Sequence, residues 1–401
     1  MKTCRLAHAV RHTLFIAAGS VVTLPTVAET VNTVTDALMG GDARLGLRYR
    51  FEGVDQDNFS EDASASTLRS RLTWTSGDYR GFTGVLELDD VSAIGNPHYN
   101  STINDNSTYP VVVDPVGTEV NQAYIRYRGE NSVATAGRQR INLDGQRFVG
   151  GVGWRQNEQT YDGYRYQYGS EKSLQLDYSY VYNVNRIFGE DSVNADLSGD
   201  IQLFHGSYPV TERHRLSAFV YELDFDRAAN ASSRTLGVDY KGGFGPLKAR
   251  LSYARQTETG DSALAYSAPY YLAELGAALG TVNMWVGGEV LGADNGSGFA
   301  TPLATLHKYQ GFADKFLATP ADGVEDLYVG VAMKVAGGNL DITYHSFSAS
   351  EGGADYGGEW DLSFARKLTE QLSGEIKYAS YRADTFSVDT DKVWLMFTAN
   401  F

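Results

Sequence analysis

The chain is nearly free of cysteine, poor in proline, and without any apolar run long enough to cross a bilayer as a helix once its first residues are passed. Of its 401 residues one is cysteine, Cys4, and nine are proline. Cys4 lies upstream of the opening apolar run, far from any cleavage site where a lipid could be attached, and the remaining chain cannot form a disulfide. After residue 28 no stretch approaches the ~18 consecutive apolar residues of a spanning helix, so a membrane span has to be built from strands. Positive charge is also scarce: 34 Lys and Arg stand against 49 Asp and Glu, a net charge of −15. A chain this acidic is a poor nucleic-acid binder.

The first residues form a separate signal. Lys2, Arg5 and Arg11 precede an apolar run from Leu14 to Leu24, followed by Pro25-Thr26-Val27-Ala28. This is the pattern of a cleaved secretory signal peptide, residues 1–28. Its removal takes three cations and no acid, making the remainder more acidic. Residues 29–401 keep one texture, rich in Gly and Tyr, with no linker, and read as a single domain.

Strand periodicity decides the class. Ala43, Leu45, Leu47, Tyr49 and Phe51 alternate with Arg44, Gly46, Arg48, Arg50 and Glu52, one face apolar and the other charged. The pattern returns at Leu174–Tyr182, Leu247–Tyr253 and Leu327–Val335, each about the 9–11 residues of a tilted transmembrane strand. Connections alternate in length: short at 76–79, 129–132, 169–172, 242–246, 336–339 and 367–371, long at 53–65, 91–117, 141–157, 183–199, 256–266, 292–324 and 348–357. Short periplasmic turns alternating with long extracellular loops define an all-β, transmembrane antiparallel barrel in the outer membrane, here of about eighteen strands, although the segments near Ile201 and Tyr271 are faint. Its partners would be outer-membrane lipid and lipopolysaccharide. The closing stretch Val393–Phe401 alternates back from a terminal Phe401, resembling the signal read by the outer-membrane assembly machinery.

With apolar residues toward lipid, the early strands point cations inward: Arg44, Arg48, Arg50, Arg69, Arg71, Arg126, Arg128, Arg138, Arg140 and Arg165. Later strands point acids inward: Glu222, Asp224, Asp239, Glu289, Asp341, Glu359 and Asp361. Guanidinium groups bind carboxylates and phosphates in bidentate fashion, so the arginine wall suits an anionic saccharide or organic acid; equally, the charges could pair with one another and only stiffen the barrel. Two long loops are able to fold inward, one holding Arg147, Trp154 and Arg155 among glycines, the other spanning 292–324 with His307, Lys308, Asp314 and Lys315. The histidines are scattered, without metal-ligand spacing, and no nucleophile–base pair stands out near His307 or near His345 with Ser346 and Ser348. The expectation is a channel without cofactor or metal, not an enzyme.

Several blocks resemble the bacterial alginate-export porin family: Gly137-Arg138-Gln139-Arg140-Ile141, Gln146-Arg147-Phe148-Val149-Gly150 leading to Gly153-Trp154-Arg155-Gln156-Asn157, Tyr161-Asp162-Gly163, and Phe299–Lys308 continuing through Asp314-Lys315-Phe316 and Thr319-Pro320 to Asp326. The resemblance implies a monomeric eighteen-stranded barrel with an electropositive constriction for an anionic polyuronate. It carries Arg138, Arg140, Arg147, Arg155 and Asp162 as pore-lining residues. The alternative functions are a weakly selective diffusion porin for small hydrophilic solutes or nutrient uptake, a barrel enzyme acting on lipid or peptide, and an adhesin; anion preference with block by oligouronates separates the first reading from these.

Overall fold

The computed structural model describes residues 33–401; the expected signal segment, 1–28, lies outside them. Eighteen antiparallel strands form one sheet. In chain order they are β1 Asp42–Gln56, β2 Ala63–Thr75, β3 Phe82–Ala93, β4 Gly117–Arg128, β5 Ser132–Gln139, β6 Thr160–Tyr168, β7 Gln175–Asn185, β8 Asp196–Thr211, β9 His214–Phe225, β10 Ser233–Phe244, β11 Leu247–Glu258, β12 Ser267–Leu279, β13 Val282–Leu291, β14 Val324–Val335, β15 Gly338–Ser348, β16 Asp355–Lys367, β17 Leu372–Ala383 and β18 Thr390–Asn400. Each pairs with its sequence neighbours, and β1 closes the ring on β18 with Gly46 opposite Asn400 and Gln56 opposite Thr390. Closure removes the free edges that hydrocarbon cannot hydrate. A short helix, α1 (Val34–Met39), precedes β1 and meets the β2–β3 turn through the Gly77 amide and the Ala37 carbonyl.

The outer surface is apolar around the barrel. Leu45, Leu72, Leu86, Ile125, Leu216, Leu251, Leu275, Val286 and Leu327 are exposed, together with Tyr164, Tyr166, Tyr168, Tyr178 and Tyr182. A water-soluble protein rarely leaves so large a connected apolar surface bare; here it faces lipid, with tyrosines where headgroups begin.

At one end the connections are tight. Residues 212–213, 245–246, 280–281 and 336–337 each join two strands in two residues. The last turn needs positive φ at both positions, adopted by Ala336 (φ 48°) and Gly337 (φ 75°), the backbone that lets a two-residue loop follow the strand twist. The opposite end carries the long loops. The faint segments near Ile201 and Tyr271 are β8 and β12. They are hard to read because the inward residues Ile201, Leu203, Tyr270 and Leu272 are themselves apolar and buried, which hides the alternation.

The barrel interior at its upper level is a packed core. Ile141, Leu143 and Val149 of the β5–β6 loop and Phe299, Leu303 and Phe316 of the β13–β14 loop cluster with inward residues Phe219, Tyr221, Leu223, Tyr270 and Trp394. Burying these side chains supplies ~1.5–3 kcal/mol each, enough to hold the loops inside. This packing corrects two expectations. Glu222 and Asp224 are not luminal: Tyr221, Leu223 and Phe225 turn inward and are buried, while Glu222 pairs with Arg234 on the outer face. A water-filled lumen has no place for apolar residues, but a lumen filled by loops does.

Candidate functional site

The site is the luminal constriction where three inbound loops meet the β1–β3 wall. Even-numbered β1 residues and odd-numbered β2 and β3 residues face inward, as their alternating burial records. This brings Arg48, Arg50, Arg69 and Arg71 onto one surface beside Glu87 and Asp89. The β5–β6 loop presents Arg140, Arg155, Gln156 and Glu158 to it, and the β3–β4 loop presents Asp114.

Arg71 is a bidentate partner of Asp89, at 2.7 and 2.5 Å, and also donates to Glu158 at 2.8 Å. Arg140 bridges Glu158 and Glu87. Arg50 lies over Trp154, 4.2 Å from the ring centre, donates to Glu52 at 2.8 Å and stands 3.3 Å from Asp114. Arg155 reaches Glu52 at 2.9 Å and Asp314 at 3.3 Å. Arg69 is 3.6 Å from Glu158. Arg48 differs from all of these. Its Nε donates to the Gln156 side chain at 2.9 Å and its Nη groups to the carbonyls of Gly153 (2.8 Å) and Arg155, so all three of these hydrogen bonds go to neutral acceptors. Burial raises the Glu158 carboxyl, but Arg140, Arg71 and Arg69 together hold it well below the usual carboxylate range, so it is an anion that organises the cluster.

Arg147 anchors the two large loops to the wall. It donates to Glu289 at 2.7 Å, to Thr301 at 3.3 Å and to Gln310 at 3.2 Å, and Tyr270 donates to the same Glu289 at 2.5 Å. Nearby, His307 stacks on Trp154 at 4.1 Å between ring centres. Its Nδ1 is 2.8 Å from Asp314 and its Nε2 is 2.7 Å from the Lys377 ammonium. Burial and then Lys377 push His307 down to about 3, against Asp314. The ring is therefore neutral, with Nδ1–H donating to Asp314 and Nε2 accepting from Lys377. Asp314 is raised by burial but held well below its ordinary value by His307, Lys392 and Arg155. On the far wall the Phe312 and Ala313 amides donate to Asp361 (3.0 Å) and Glu359 (2.6 Å), and His345 stands 2.9 Å from Asp326. Ser346, beside His345 in sequence, is exposed on the opposite strand face.

The remaining sequence candidates sit elsewhere. Arg44 pairs with Asp42 at the short-turn end and is largely exposed; Arg128 is exposed there too. Arg126 lies over Tyr124, and Arg165 pairs with Asp177 lower on the wall. Arg138 donates to both oxygens of Asp162, at 2.8 and 3.0 Å. The pair lies on the strand face opposite Gln139 and Tyr161, whose side chains are buried inward, and so points to the outside of the barrel rather than joining the luminal guanidinium groups. Sequence reasoning missed Glu52, Glu87, Asp89, Asp114, Gln156, Glu158 and Lys377. Glu52, Glu87 and Asp89 shared the charged face of their strands with no mark to set them apart, and Asp114 and Glu158 sit in loops where no period applies.

Residues 42–280 match the sequence profile described as Alginate export. The chain belongs to the alginate export family. The blocks from Gly137 to Gly163 fall inside the matched span, whereas Phe299–Asp326 lies beyond it. No curated protein matches the chain. Among solved structures it is similar to Pseudomonas aeruginosa OpdK with vanillate (16% identity, TM-score 0.70, covering 91% of this chain and 99% of that one). It is likewise similar to OccK5 (OpdH) of the same organism (15%, TM-score 0.69, 91% and 99%) and to Acinetobacter baumannii OccAB4 (11%, TM-score 0.70, 90% and 98%). At these identities the likeness is one of fold. This member of the alginate export family has the fold of a porin-like channel and is an integral outer-membrane barrel.

Proposed function

We propose that this barrel passes anionic solutes, acidic saccharides or small organic acids, through a constriction whose spare positive charge is centred on Arg48. The observation that carries the reading is the bonding of Arg48: a buried guanidinium held only by carbonyl and amide oxygens keeps its charge available, and an incoming carboxylate or phosphate can exchange for those neutral acceptors with a gain. Arg69, 3.6 Å from its nearest carboxylate, is the next contact along the wall. Membership of the alginate export family favours a uronate-like solute. The structural neighbour OpdK was solved with vanillate, a carboxylate. Because the constriction side chains are buried among the two large loops, a solute moves through this level by displacing loop contacts.

Single-channel recording across a salt gradient tests this. The expected result is a reversal potential on the anion side and block by oligouronates, with Arg48→Gln weakening both by about tenfold, the loss of one charge-assisted contact worth ~1.5–3 kcal/mol. A weakly selective current that Arg48→Gln leaves unchanged would instead favour the second reading, a general diffusion porin. That reading draws on the pairing of Arg71, Arg140 and Arg155 with carboxylates, which cancels much of the field across the lumen. The exposed Phe401, whose backbone pairs with Leu45, is proposed as the contact for the outer-membrane assembly machinery.

A further inference from the structure

The barrel wall is incomplete on one side. β5 ends at Gln139, and its pairing with β4 covers only Ala123–Arg128. Residues Gly117–Gln122 of β4 pair with β3 but have no strand on their other side. The chain has left the wall there to enter the lumen as the β5–β6 loop, and it returns as β6 at Thr160. Substitutes stand at the foot of the gap: the Val120 carbonyl accepts from Arg138 at 2.9 Å, and the Arg140 amide donates to the Gln122 side chain at 3.2 Å.

Above them is a cavity of about 280 Å³, near the small end of ligand pockets. Its lining comes from both faces of the sheet. Asn121 and Glu158 belong to the luminal side, where they bond each other and the arginine cluster; Arg138 and Asn185 belong to the outer side, bonded through Asp162. The cavity is thus lined from both faces of the sheet, at the place where the sheet lacks a strand pairing. The outer residues just below are Tyr164, Tyr166 and Ile125, all exposed, and those at its level are polar apart from Val120 and Ala195, which sets the opening where hydrocarbon gives way to headgroups. Arg186, in the loop after β7, also lines it, together with the acids Glu119, Glu190 and Asp196. Its guanidinium rests on the Phe188 ring at 4.6 Å, it has no carboxylate partner among the described residues, and burial alone lowers its pKa.

We infer that this gap is a side port, a second mouth of the lumen at the level of the outer-leaflet headgroups, passing a small hydrophilic solute between Arg186 outside and the Arg140–Glu158 pair inside. The port rests on the missing strand pairing and the two-faced lining; Glu119, Glu158, Glu190 and Asp196 outnumber Arg138 and Arg186 in that lining, so it does not favour an acidic solute. Asn121 and Asn185 already donate to Glu158 and Asp162, Arg186 offers its guanidinium at the outer end, and the Arg140–Glu158 pair closes the inner end.

Cys4 is the sole cysteine, so Asn185→Cys in a Cys4→Ser background gives one thiol at the port, modified after folding by a bulky maleimide. The measurement is the single-channel current before and after modification, with labelling followed by mass spectrometry and folding by heat-modifiable migration. A port predicts complete labelling and a current reduced about twofold or more, since pore current follows the open cross-section. Complete labelling with unchanged current, or a folded barrel whose thiol refuses the reagent, overturns it. The reversal potential of the unmodified channel separates the two ideas. A current drop supports the port whichever ion the unmodified channel prefers, and anion preference with unaltered current overturns the port alone.

Discussion

His307 is the residue where local chemistry translates most directly into behaviour. Its ring is kept neutral by burial and by the Lys377 ammonium, so that one nitrogen can donate to Asp314 while the other accepts. In the unfolded chain, or with the loop released, the same ring takes a proton near pH 6.5. With the docked pKa depressed to about 3, the released state binds more protons between pH 6.5 and 3. The stability of the docked β13–β14 loop is therefore complete above pH 6.5 and falls below it, by about 1.4 kcal/mol per pH unit at most. Asp314, held low by its cations, acts in the same direction as it protonates. Channel activity is expected to rise as the pH is lowered from 7 to 5, with His307→Gln removing most of that dependence; recordings over this range check it, and an identical pH profile in the variant would show that the loop does not answer to this ring.

At the level of elements, the turns and the inbound loops obey different physics. The turn at 336–337 is set by backbone geometry: Ala336 sits at φ 48°, where a Cβ costs roughly 1 kcal/mol and asparagine is tolerated better. Ala336→Asn is expected to raise the urea midpoint by an amount corresponding to about 0.5–1 kcal/mol, and a fall would mean that the turn is not of this type. The β5–β6 loop is held instead by what it meets. Gly150 lies where a Cβ would come within 2.4 Å of Thr305 Oγ1, and its amide bonds the Leu303 carbonyl while Val149 bridges to Leu303. Its glycines could be read from the sequence as permission to bend inward. The partner loop that receives it, about 150 residues away, could not.

For the whole molecule, closure fixes which residues meet lipid and at what depth. Leu251 is exposed near the middle of β11, and Val210 is exposed next to the last residue of β8, beside a short turn. An arginine on the lipid face costs ~2–4 kcal/mol at the bilayer midplane and ~0–1 near the interface. Leu251→Arg is therefore expected to destabilise the refolded barrel by about 3 kcal/mol and Val210→Arg by less than about 1 in vesicle unfolding titrations; equal losses would mean that the belt is placed wrongly.

The sequence by itself determined the class, the strand faces along β1, β7, β11 and β14, the parity of the connections and the family, because period-2 alternation is a local property that each strand repeats. It also marked Arg48, Arg50, Arg69 and Arg71 as one luminal surface, since they alternate with apolar residues on paired strands. Only the tertiary structure decided which of these charges are spent on Glu52, Asp89, Asp114 and Glu158, for apart from Arg50–Glu52 on one strand these pairs join different strands and loops. It decided that Tyr221 and Leu223 face in and Glu222 out, because loops inside the barrel reverse the usual preference of the lumen for polar residues. It also turned Arg138 outward and left half of β4 paired on one side only. The one-sided pairing follows from where β5 stops: its continuation buries Ile141, Leu143 and Val149 inside the barrel instead.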